Sequence, residues 1–250
     1  MKGLKVIANR INHSATCLEI VLGLMQSLEK EILMKIIIFG ATGMIGQGIL
    51  RECLLNPAIE QVLCVGRTPT GQRHPKLAEI VHSNLYQLGS IEHELVGYDA
   101  CFFCLGVSAA GMTEAAYRSI TYDLTLHVAQ TLARLNPQSS FSYISGSGTD
   151  ADSRSMWARV KGQTEQALLA LPFRAAYMFR PGFIQPQHGV VSKTRWYRLM
   201  YRLTSPLYPL FKRLIPHYVT TTEQLAQAML RVAQNGAPQP IIENSMINQL

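Results

Sequence analysis

Nowhere in the 250 residues does an apolar run reach the roughly 18 positions that a membrane-spanning helix needs. Acidic residues are missing altogether between positions 190 and 218. Framework cysteines are missing too: the five present are an odd number without regular spacing, which argues against a disulfide scaffold. A reducing interior, and so a cytoplasmic placement, is the expectation. The first residues include Lys2, Lys5 and Arg10, but Glu19 breaks the apolar stretch after them and no small-residue cleavage pattern appears, so no secretory signal is read. Internal repeats and low-complexity tracts are absent as well. Cys101 and Cys104 form a C-x-x-C inside "DACFFCLG", which reads as a strand. Residues i and i+3 of a strand point to opposite faces, so the pair is poorly placed for a metal or a disulfide, and no metal is expected.

The residues that are present are organised. Apolar residues make up 48% of the chain, enough for one well-buried core. Residues 1–33 read as an N-terminal extension. Either it is an added amphipathic helix, or the natural start is Met34, where "MKIIIFGATGMIG" opens as a nucleotide-binding domain does. From Met34 short apolar runs alternate with helical spacing. "KIIIF", "QVLCV", "EIVHS", "ACFFCLG", "SFSYISG" and "RAAYMFRPG" supply six strands. "MIGQGILRECLLN" reads as a helix ending before Pro57, and "TEAAYRSITYDLTLHVAQTLARLN" as one long helix stopped by Asn136-Pro137. "TEQLAQAMLRVAQNG" is a last helix, capped by Thr222 with Glu223 in its first turn. Such alternation predicts an α/β fold: a doubly wound parallel sheet, Rossmann-like, over 34–250 as a single domain, with a small C-terminal substrate lobe and a lid segment at about 183–221.

Chemistry enters at "GATGMIG". Gly40, Gly43 and Gly46 stand three apart, directly after a strand and at the start of a helix. Gly40 permits a tight turn, Gly43 lets the backbone approach a pyrophosphate, and Gly46 lets helix lie against strand. The N–H groups of the helix start, around Thr42, Gly43, Met44, Ile45 and Gly46, would face the phosphates. A dinucleotide site that prefers NAD(H) places a carboxylate after the second strand. Here that strand ends Val65-Gly66-Arg67, and a guanidinium suits the 2′-phosphate of NADP(H) instead, with Arg73 able to help.

Together "GATGMIG", "VGR", "DACFFCLG", "YISGSGTD", "VKG" and "RPGFIQP" make the chain resemble an atypical short-chain dehydrogenase/reductase. The branch is the one that holds Tat-interacting and bacterial epimerase-like proteins, and the likeness runs from about Met34 to Gly236. The resemblance implies that Leu105 and Gly106 line the cofactor and that Ser145 hydrogen-bonds the substrate carbonyl. It implies further that Lys161 holds the nicotinamide ribose, and that Arg180, Pro181 and Gly182 set a loop beside the nicotinamide. Asn84, followed by Leu85, stands where relatives often have an adenine-recognising aspartate, and its amide oxygen can still accept.

Trp157 is the larger departure. The family's Y-x-x-x-K spacing sets a phenol and an ammonium on one helical face, where the phenol moves the proton. An indole has no acid–base chemistry near neutral pH. "YPLFK", Tyr208 to Lys212, repeats the spacing but lies in the basic C-terminal segment and reads as coincidence. Ser147, Thr149 and Asp150 follow the fifth strand closely enough to reach a substrate, and Asp150 can titrate if desolvated. Trp157 either fills space or walls the substrate pocket.

Residues 190–218 hold Lys193, Arg195, Arg198, Arg202, Lys212 and Arg213, six of the seven net positive charges, interleaved with aromatics. Three roles compete for 193–213: a cap over an anionic or lipid-like substrate, peripheral contact with a membrane surface, and nucleic-acid contact. The last has no accompanying motif. Two functions fit the whole. One is an NADP(H)-dependent oxidoreductase or epimerase-like enzyme acting on a small carbonyl or alcohol, with Ser145, Lys161, Trp157 and Asp150 around the chemistry. Its proton would come from Asp150, a hydroxyl relay or water. The other is a non-catalytic NADP(H)-binding sensor or scaffold.

Overall fold

A computed structural model of the protein describes residues 33–189 and 216–250. The expected N-terminal extension and most of the basic segment lie outside the described residues.

Seven strands form one parallel sheet: β1 (Met34–Phe39), β2 (Ile59–Gly66), β3 (Leu77–Val81), β4 (Ala100–Phe103), β5 (Ser140–Ile144), β6 (Ala175–Arg180) and β9 (Ile241–Glu243). Their order across the sheet is β3-β2-β1-β4-β5-β6-β9. Strand order reverses between β1 and β4, which opens a crevice at their carboxyl ends, the usual place for a ligand in such sheets. β1 is apolar almost throughout because both faces of the sheet are covered. Ile36 and Ile38 turn to a core shared with helices α1 (Met44–Leu55) and α5 (Thr222–Asn235). Ile37 and Phe39 turn the other way, with Phe103, Phe141 and residues of helices α3 (Leu124–Leu135) and α4 (Met156–Leu169). Cys101 lies in that second core and Cys104 against the first, so the C-x-x-C residues do occupy opposite faces.

Several details differ from expectation. The stretch expected as one helix is α2 (Glu114–Arg118), a π-helical turn at Ser119–Asp123, and then α3. Apolar periodicity does not register one extra residue per turn. The cap of α5 is Thr221, whose hydroxyl accepts from Gln224 N–H at 3.0 Å, while Thr222 is already helical. The third strand begins at Leu77, two residues before "EIVHS". A seventh strand, β9, pairs with β6, and a small parallel pair joins β7 (Phe183–Gln185) to β8 (Val219–Thr221). These three-residue strands are too short to show alternation.

Candidate functional site

At the end of β1, Gly40 adopts φ +83°. A Cβ there would also stand 2.6 Å from the backbone nitrogen of Leu105, so the end of β4 passes directly against the turn. A Cβ on Gly46 would meet the Gly40 carbonyl oxygen at 2.1 Å, which fixes helix against strand. Gly43 caps α1 without a side-chain acceptor, and no acidic residue occupies the first turn. The first intrahelical bond runs from Gln47 N–H to Gly43 O at 2.8 Å, so the N–H groups of Met44, Ile45 and Gly46 precede the helical ladder. Three donors at the positive end of a helix, with no competing acid, fit a pyrophosphate.

A cleft runs from this turn over the ends of β2 and β3, lined by Gly40, Thr42, Gly66, Thr68, Thr70 and Glu79. Arg67, between the lining residues Gly66 and Thr68, is exposed and forms no ion pair with any described residue. No motif marks Glu79 in the sequence. It accepts from Thr70 N–H at 2.7 Å and so holds the loop that edges the cleft. Asn84 is exposed, and its amide oxygen accepts from Tyr86 N–H at 3.1 Å, while Leu85 beside it is buried. Gly106 has open space around it.

The second cluster sits beyond β5. Ser145 is buried, and its hydroxyl lies 3.0 Å from that of the equally buried Thr149. Thr149 also borders a hollow of about 410 Å³ that Asp150, Asp152, Glu165 and Arg180 share. Lys161 reaches back from α4, donating to the carbonyls of Ile144 at 2.9 Å and Ser145 at 3.2 Å. Its ammonium stands 5.2 Å from the centre of the Tyr143 ring. Burial pushes the Lys161 amine down to about 8, with Glu165 opposing the shift. Two of its three N–H donors are engaged, which leaves one for a ligand.

One turn before Lys161, the Trp157 indole lies over the loop after β5. Its six-membered ring comes within 3.7 Å of a Cβ built on Gly146 and 3.9 Å of one on Gly148. The residue is 36% exposed, so the indole is only partly covered. Asp150 is exposed and accepts from Asp152 N–H at 3.1 Å, a local turn that leaves it beside the hollow and outside the hydroxyl pair.

The residues of "RPG" have their own partners. Arg180 donates to both oxygens of the buried Glu165, at 3.0 and 2.5 Å, and to Glu243 at 3.0 Å. Pro181 O accepts from Ser147 N–H at 2.9 Å, which ties the loop after β6 to the loop after β5. A Cβ on Gly182 would stand 2.2 Å from the Tyr218 carbonyl oxygen, so glycine is required for the β7–β8 junction. Neither acidic partner of Arg180 is legible in the motif.

No family model matches the chain. "Protein fmp52, mitochondrial" of Emericella nidulans is 32% identical over 157 residues, 60% of this chain and 66% of that protein. "Protein HTATIP2" of Rattus norvegicus is 27% identical over 156 residues, 60% of this chain and 62% of that protein. The chain therefore matches less than two thirds of the length of both these curated relatives. Among solved structures, the Bordetella bronchiseptica enzyme WbmF in complex with NAD+ and UDP superposes with a TM-score of 0.62 at 16% identity, covering 86% of this chain and 72% of that one. A short chain dehydrogenase family protein from Francisella tularensis gives 0.59 at 13% identity, covering 82% and 92%. At such identities the likeness is one of fold: a Rossmann-like parallel sheet flanked by helices.

The comparisons correct one expectation. Several curated relatives are named as mitochondrial proteins, which overturns the cytoplasmic placement. That placement rested on the number and spacing of the cysteines, which do not choose among compartments. Among the described residues no helix is long and apolar enough to cross a membrane.

Proposed function

We propose that the chain, an atypical short-chain dehydrogenase/reductase by its likeness to these relatives, is an NADP(H)-dependent oxidoreductase or epimerase-like enzyme acting on a carbonyl or alcohol. The observation that carries this reading is the start of α1, where the N–H groups of Met44, Ile45 and Gly46 precede the helical ladder, together with Arg67, which follows the cleft residue Gly66 and has no acidic partner among the described residues. Glu79 in that cleft is engaged by Thr70 N–H, which tempers its repulsion of a 2′-phosphate. Leu105 and Gly106 would flank the cofactor, Pro181 and Gly182 would border it, and the third Lys161 N–H would hold its ribose. When bound, the cofactor supplies or accepts the hydride.

This chain's own residues then manage the oxygen. Ser145 donates to the substrate oxygen, and Thr149, 3.0 Å behind it, replaces the proton from the side of the open hollow. The couple takes over the task for which Trp157 has no chemistry. Asp150 serves at most to polarise water in that hollow. The segment 193–213 would cover the substrate, with contact to a membrane surface as its second use.

Trp157 also supports a second reading, a non-catalytic NADP(H)-binding sensor or scaffold. One experiment separates the two. NADPH oxidation by the full chain is followed with small quinone and aldehyde probes, for wild type and Trp157→Tyr. An enzyme built around the indole turns over as wild type and loses rate in the variant. A wild type that is inert, and gains activity on regaining the phenol, is a decayed enzyme and supports the sensor.

A further inference from the structure

Away from the cleft, three potential metal ligands converge from three separate elements. Glu52 on α1, Glu223 in the first turn of α5 and His188 in the loop after β7 each offer one ligand atom, and these atoms all lie within 4.8 Å of one another. The convergence has a backbone cause. Gly48 lets α1 close on α5, since a Cβ there would stand 2.8 Å from the Thr222 Cβ. Glu52 comes one helical turn after Gly48, and Glu223 comes directly after Thr222, so the close approach sets the two carboxylates side by side. The loop is held to the same place, with Gln187 N–H donating to Thr222 Oγ1 at 3.0 Å. His188 then takes a left-handed backbone, φ 54°, with its Nε2 3.0 Å from Glu223 Oε2. Gln227 spans the carboxylates, its amide nitrogen 3.4 Å from Glu52 Oε2 and 3.4 Å from Glu223 Oε1.

Charge points the same way. Two carboxylates share this corner, and Glu52 is mostly buried, with 11% of its side chain exposed. Arg51 pairs with Glu52 and offsets one charge. His188 Nε2 donates to Glu223 without a metal, and a bound cation would take the place of that hydrogen on the ring nitrogen. Metal–ligand bonds of about 2.0–2.2 Å place neighbouring ligands about 3–3.5 Å apart, a small contraction from the observed spread. One imidazole and two carboxylates suit a first-row divalent ion, whereas magnesium and calcium call for six or more oxygens.

We propose that Glu52, His188 and Glu223 form a binding site for a divalent transition-metal cation of the zinc or manganese type, which clamps the loop after β7 to helices α1 and α5. The site stands apart from the glycine turn and from Ser145, and it does not depend on the cofactor reading.

The test uses the full chain, dialysed against EDTA and titrated calorimetrically with zinc chloride and, separately, magnesium chloride. One zinc ion per chain should bind, at micromolar affinity, and raise the midpoint of thermal unfolding. His188→Ala and Glu52→Gln should each weaken zinc about ten-fold or more and abolish the thermal shift. Circular dichroism checks that each variant is folded, and Glu223→Gln replaces either one that is not. Absence of zinc binding overturns the proposal. So does zinc binding that the substitutions leave unchanged, because the ion then sits elsewhere. Magnesium binding as tightly as zinc overturns the assigned class of ion.

Discussion

The hydroxyls of Ser145 and Thr149 face each other at 3.0 Å, both buried, at the end of β5 where the substrate oxygen of a reductase would lie. One hydroxyl must donate and the other accept, so the pair is set to pass a proton in either direction. Ser145→Ala should lower turnover by about two orders of magnitude, as loss of an oxyanion donor does. Thr149→Val keeps the shape and removes the relay. It should cut kcat about ten-fold at unchanged KM and be rescued by Thr149→Ser, whereas a merely structural role would leave Ser and Val alike.

Under the proposed function, Lys161 should give the site a pH dependence. Burial holds its amine at about 8, below the unfolded value of 10.5. The ammonium is present below that folded value, so kcat/KM should fall as pH rises through about 8. Stability runs the other way. The unfolded chain binds the extra proton between about 8 and 10.5, so the cost of burying the charge is fully present below 8 and is relieved across that window. The relief is on the order of 1–3 kcal/mol. Nuclear magnetic resonance of dimethylated lysines checks the assignment: a titration of Lys161 near 10.5 contradicts it.

Glycine substitutions separate structure from binding. Gly46→Ala forces a Cβ onto the Gly40 carbonyl and should cost about 1–3 kcal/mol of stability along with nucleotide binding. Gly106→Ala meets open space, so stability should stay within about 0.5 kcal/mol of wild type. Nucleotide affinity should still drop if Leu105-Gly106 lies against the cofactor. Thermal unfolding and nucleotide titration of both variants read this directly.

Arg180 makes a structural prediction inside a motif expected to serve the cofactor. Its removal as Arg180→Met strands Glu165, whose side chain is 3% exposed, and should cost about 3–5 kcal/mol. Adding Glu165→Leu should recover much of that loss, because the buried charge leaves with its partner. Denaturant midpoints of the single and double variants test it, and equal midpoints refute the pairing.

The features legible in the sequence are those that depend on a few adjacent residues. Gly40, Gly43 and Gly46 announce the turn because each answers a local backbone demand, and the clashes a Cβ would make at Gly40 and Gly46 bear this out. The parallel sheet is legible because strands buried on both faces leave continuous apolar runs. Arg180 reads as a loop anchor in its motif, yet its partners come from α4 and β9, 15 and 63 residues away. The Ser145–Thr149 pair depends on how the loop 146–148 folds back, which spacing does not report. The Glu52–His188–Glu223 cluster has no sequence signature at all, since three distant elements supply it. Thr222 reads as the cap that Thr221 provides because both are threonines one residue apart.

The most direct test of the proposed function is calorimetric titration of the full chain with NADPH and with NADH. NADPH should bind tightly and NADH more weakly, and in Arg67→Ala the difference between them should shrink while NADH is little changed. Failure to bind either nucleotide, or equal binding of both that Arg67→Ala leaves untouched, would contradict it.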